Sequence, residues 1–157
     1  MNFRCVAMDS STAARFRATK HDDRGASVMP IVATNDTGFI CRHCLAQPGT
    51  GSEVLLGSYD IAEPSGFFWS PSPIFVHSTE CARYNTLNEV PKAVSGIELV
   101  GVRPYDSQNF LLYDLNDVAA GERVHDLITR AFQDPRTEYI NLHTGKPGCF
   151  LCRVERP

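Results

Sequence analysis

The strongest periodic signal in this chain ends just before Pro135. Val124, Leu127, Ile128, Ala131 and Phe132 recur at i, i+3, i+4, i+7 and i+8, which places them on one face of a helix. Such a helix needs an apolar surface to pack on. The other apolar segments are short and strand-like, and turn-rich stretches such as Gln47-Pro48-Gly49-Thr50-Gly51 and Thr144-Gly145-Lys146-Pro147-Gly148 separate them. The chain is therefore predicted to fold as a single α+β domain spanning residues 1–157. The expected architecture is a mixed, mainly antiparallel sheet of hairpins, with the 120–133 helix packed on one face and a short N-terminal helix.

That N-terminal helix is expected to start at Asp9 or Ser10, whose side-chain oxygen can cap free amides, and to run to about Arg17. Strands are expected at 2–8, 29–34, 38–45, 53–59 and 74–77, with 38–45 and 53–59 forming a hairpin. A helical turn should follow from Ser78 or Thr79. Segments 96–103 and 108–114 are read as a second hairpin around Pro104-Tyr105-Asp106, and 139–143 with 149–154 as a third. In the third, a five-residue loop sets His143 opposite Cys149. Tyr139, Asn141, His143, Cys149, Leu151 and Arg153 would then share one face, and Ile140, Leu142, Phe150, Cys152 and Val154 the core face. The loop at 61–73, with three prolines and Phe67-Phe68-Trp69, is long enough to suggest a role beyond connection.

A chain of 157 residues can bury roughly two thirds of its unfolded surface in one core. Its net charge of −3 gives no electrostatic case for nucleic acid or an anionic membrane. The basic stretch Arg15, Arg17, Lys20 and Arg24 is interrupted by Asp22 and Asp23 and reads as a solvated surface. The first residues lack the apolar run of a signal peptide, so a cytoplasmic protein with reduced thiols is expected. Asn35-Asp36-Thr37 matches a glycosylation acceptor, which has no meaning without export.

Six cysteines in a reducing compartment read as thiols or ligands before disulfides. Two clusters stand out: Cys41-Arg42-His43-Cys44 and His77-Ser78-Thr79-Glu80-Cys81. Cys41, Cys44, His77 and Cys81 form a candidate tetrahedral set, with His43 as an alternative ligand, and zinc suits mixed sulfur and nitrogen donors. A regular strand would send Cys41 and Cys44 to opposite faces. The set therefore requires a local turn, and Leu45 stands where a glycine commonly assists one. A redox dithiol at Cys41 and Cys44 would be activated by Arg42 and His43, but Pro48-Gly49 leaves no room for the helix such sites begin. A thiol-dependent enzyme would instead use Cys149 with His143 as base and Asn141 as orienting group. The competing account makes the cysteines packing residues in a non-catalytic binding protein. Arg42, Arg83, Arg103 and Arg153 lie in or beside strands, where an anion or small molecule, or ordinary ion pairs, would satisfy them.

The segments Gly38-Phe39-Ile40-Cys41-Arg42-His43-Cys44-Leu45, Pro73-Ile74-Phe75-Val76-His77 and Gly148-Cys149-Phe150-Leu151-Cys152-Arg153-Val154-Glu155-Arg156 resemble, in order and spacing, a family of uncharacterised bacterial proteins, domain of unknown function 1203. The resemblance spans nearly the whole chain. It implies domain boundaries but no activity.

Overall fold

The computed structural model describes residues 2–34, 38–61 and 66–157. The Asn35-Asp36-Thr37 motif and residues 62–65 of the long loop lie outside the described residues. Two antiparallel sheets carry the fold. Strands β1 (Arg4–Val6), β5 (Val100–Tyr105), β6 (Asp117–Ala119), β7 (Tyr139–Thr144) and β8 (Phe150–Glu155) form the larger, in the order β1-β8-β7-β5-β6. Strands β2 (Met29–Val32), β3 (Glu53–Tyr59) and β4 (Ser72–His77) form the smaller, in sequence order. The helices are α1 (Ser10–Thr19), α2 (Lys92–Ser95) and α3 (Val124–Gln133). Among the described residues, no helix is long and apolar enough to cross a membrane.

Each sheet has its own apolar core. The α3 stripe of Val124, Leu127, Ile128, Ala131 and Phe132 is buried against Val100, Val102, Ile140, Leu142 and Val154 of the larger sheet, as the periodicity predicts. The second core joins Ala13 and Phe16 of α1 to Leu55, Ile74 and Val76 of the smaller sheet. Helix α1 starts as expected: Asp9 accepts the Thr12 amide at 2.7 Å and the Thr12 hydroxyl at 2.8 Å. It ends at Lys20, whose amide bonds to Phe16 O in a left-handed conformation.

The cap has a pH signature. Partial burial disfavours the Asp9 charge, but hydrogen bonds from Ser11 and Thr12 outweigh it and hold the carboxyl at about 2, against 3.8 ordinarily. A depressed carboxylate stabilises the fold above its unfolded pKa, and that stability is lost as pH falls through the folded value. Asp9→Ala should thus cost about 1 kcal/mol near neutrality. In urea titrations the deficit should shrink between pH 4 and pH 2; a pH-independent deficit would assign the loss to packing instead.

Three expectations need correction. Segment 38–45 is not a strand paired with β3; β3 lies between β2 and β4, and Cys41 makes a single parallel bridge to Phe75. Segment 108–114 is not a strand either. The Asp106 carboxylate accepts the amides of Gln108 and Phe110, both at 2.9 Å, and curls the chain. The partner of β5 is then the unforeseen β6, beside β7. Third, a bulge in the β7–β8 hairpin sets His143 opposite Phe150 and Leu142 opposite Cys152. The extra residue, Leu151, turns into the first core while Phe150 turns into the second. Cys152 stays in the core as predicted.

Candidate metal centre

The two cores meet at the segment bearing the first cysteine cluster. Ile40 and Leu45 are buried in the first core, whereas Cys41 belongs to the second and Cys44 packs against it. The Arg42 amide donates to Phe75 O at 2.9 Å, and Arg42 O accepts the Met8 amide at 2.8 Å. The chain therefore enters as if to form a strand beside β4 and then turns. The Leu45 amide closes on Cys41 O at 2.8 Å, and the Cys41 amide on Ala46 O at 3.0 Å.

Leu45 adopts a positive φ of 52°, a conformation that costs roughly 1–2 kcal/mol in a residue with a Cβ. Its side chain is 2% exposed, and burying a leucine contributes about 1.5–3 kcal/mol. Core burial thus offsets the strain, and the turn forms without glycine. As a result Cys41 and Cys44 present their thiols to one point.

Residue His77, the last of β4, and Cys81, on an irregular segment rather than the expected helical turn, complete the group. One ligand atom from each of Cys41, Cys44, His77 and Cys81 lies within 4.8 Å of all the others. Cys44 Sγ is 3.4 Å from His77 Nδ1, and Cys41 Sγ is 4.0 Å from Cys81 Sγ. A tetrahedral ion bound at about 2.3 Å to sulfur and 2.0 Å to nitrogen would separate its ligands by about 3.4–3.8 Å. The cluster already has nearly that size, so the four residues could hold a metal ion.

The thiols are not equivalent. Cys41 is held down to about 3, chiefly by a hydrogen bond from the Cys44 thiol, with the His77 side chain and the amides of Cys44 and His77 adding to it against burial. The His77 amide lies 3.3 Å from Cys41 Sγ. Cys44, as donor to that thiolate, is pushed far above the usual thiol range, with burial acting the same way. Burial, then the Cys41 charge, raises Cys81. The hydrogen bonding and burial thus favour the negative charge on Cys41 over Cys44 and Cys81.

His43 stands behind Cys81 rather than among the four: Nδ1 is 3.2 Å from Cys81 Sγ and Nε2 is 2.9 Å from Ser10 Oγ. Burial is the main cause lowering its pKa, with Arg17 and Arg83 acting in the same direction. Arg17 reaches in from α1, its Nε donating to His77 O at 3.0 Å and its Nη2 lying 3.4 Å from Cys81 Sγ. This corrects the reading of that basic stretch as wholly solvated. Neither Ser10 nor Arg17 carries a local signal; both reach the site because α1 shares the second core with the smaller sheet.

The other sequence candidates lie elsewhere. His143 Nδ1 donates to Gly148 O at 2.9 Å, and among the described hydrogen bonds none joins its ring to the half-buried Cys149. Cys149 pairs with Thr144 through its backbone. Asn141 Oδ1 faces Arg153 Nε at 3.4 Å. Buried Cys152 hydrogen-bonds to Cys5, which with burial raises its pKa well above the ordinary value.

Residues 38–156 match the family described as Protein of unknown function (DUF1203). The chain belongs to that family. The DUF1203 match includes all four residues of the cluster but not Ser10, Arg17 or β1, although β1 completes the larger sheet through β8. No curated protein and no solved structure matches the chain.

Proposed function

We propose that this DUF1203 protein is a small zinc-binding module in which Cys41, Cys44, His77 and Cys81 hold one structural ion. The observation that carries the reading is the convergence of three sulfurs and one imidazole nitrogen within 4.8 Å. Four protein ligands leave no open position for substrate, which is the pattern of structural rather than catalytic zinc. Three thiolates around a divalent ion leave one net negative charge, and Arg17 beside Cys81 supplies a positive charge to offset it. His43, braced by Ser10, can orient the Cys81 sulfur, as partners of metal ligands commonly do. Thiolate ligands persist in a reducing compartment, so we place the protein in the cytoplasm.

Elemental analysis of untagged protein purified under reducing conditions should give one zinc per chain. Cys44→Ser should bring the content well below that, while Cys152→Ser, outside the cluster, should leave it intact in the folded fraction. Protein that neither retains zinc nor takes it up after full reduction would refute the assignment.

A further inference from the structure

We propose that the cavity between the β7–β8 turn and residues 68–73 binds a small oxyanion that carries a hydroxyl of its own, gripped by Arg103 and His143. The cavity, about 200 Å³ in volume, is lined by Trp69, Arg103, His143, Gly148 and Cys149 among others. Its position is independent of the metal centre.

The argument begins with one ring nitrogen. His143 is 6% exposed, and its Nδ1 faces Gly148 O at 2.9 Å. A carbonyl oxygen can only accept, so Nδ1 carries the proton and Nε2 of the neutral ring presents a lone pair. That Nε2 is buried and has no hydrogen-bond partner among the described residues. Buried polar atoms are nearly always paired, so an orphan marks a position where another molecule sits. Burial above all, with the charges of Arg103 and Arg42, pushes His143 down to about 4. The ring thus remains an acceptor at neutral pH.

Arg103 makes the opposite demand. Its side chain lines the same cavity, and among the described residues no carboxylate forms an ion pair with it. The register brings the two together, because Gly101 lies opposite His143 and Arg103 opposite Asn141. A guanidinium can only donate, and favours carboxylate or phosphate oxygens. An arginine donor beside a lone-pair acceptor selects a ligand with both anionic oxygens and an O–H. Hydrogen phosphate and short hydroxycarboxylates satisfy both; sulfate and acetate satisfy the arginine alone. The cavity volume suits either class.

Trp69 lines the cavity and is the one tryptophan in the chain, so its fluorescence reports occupancy directly. The 157-residue protein would be titrated at neutral pH and constant ionic strength with inorganic phosphate, sulfate, glycolate and acetate. Phosphate or glycolate should give a saturable change, at least roughly tenfold tighter than its partner without an O–H. The preferred anion then identifies the class of the natural ligand. Arg103→Gln should weaken that binding by about tenfold or more, and Arg103→Lys, which keeps the charge but not the fork, should fall between. No saturable signal from any of the four anions would overturn the site. So would equal binding of phosphate and sulfate, or binding unchanged in a folded Arg103→Gln protein.

Discussion

Removing zinc with a chelator is expected to lower the melting temperature by roughly 8–16 °C. A ligand that binds only the folded chain adds about 4 kcal/mol when present at a thousandfold over its dissociation constant. In a chain of this size each kcal/mol shifts the midpoint by about 2–4 °C. The four ligands come from two segments far apart in sequence, so the unfolded chain has no comparable site. A bound ion would also secure the turn at Cys41 to Leu45, where the backbone strain of Leu45 must otherwise be offset by packing alone. Scanning calorimetry of reduced protein, with and without chelator, gives the shift, and zinc added back should restore it. Coincident melting curves would mean that no ion supports the fold.

Truncating Phe132 to alanine should destabilise the protein by about 3–5 kcal/mol, the range for large-to-alanine changes in a packed core. At about 2–4 °C per kcal/mol that is a fall of roughly 6–20 °C. Phe132 is 1% exposed at the last turn of α3 and belongs to the core beneath the larger sheet. The Arg156 guanidinium lies 4.7 Å from its ring centre and donates to Phe132 O at 3.1 Å. Truncation would therefore also remove a cation–π contact that ties the C-terminal residues to the helix. The neighbouring exposed Gln133 is the control, since Gln133→Ala should change stability by no more than about 0.5 kcal/mol. Chemical denaturation of the three proteins decides it: near-equal stabilities would contradict the burial of the α3 stripe.

Local signals account for what was legible. The α3 stripe, the Asp9 cap and the β7–β8 hairpin each depend on residues a few positions apart, and all three are present. Segment 38–45 has the apolar content of a strand, but apolar content does not reveal whether a strand has a partner along its length. It has one bridge, to Phe75, and then turns. The hairpin register differs from simple alternation for a related reason. A bulge adds one residue that alternation cannot count, and this exchanged the faces of Phe150 and Leu151.

The sequence by itself determined the chemistry available to the site: three thiols and an imidazole at Cys41, Cys44, His77 and Cys81, side chains that suit one class of ion wherever they meet. It also determined which face of α3 is apolar. Only the tertiary structure decided that the four meet, that Arg17 and His43 attend them, and that Arg103 and His143 share a cavity. Those outcomes rest on contacts between residues distant in the chain. The Cys41–Phe75 bridge joins two segments, and burial in the first core sustains the left-handed turn at Leu45. Side-chain chemistry and periodicity are local properties that short windows carry. Convergence depends on how whole sheets pack, and no local window contains it.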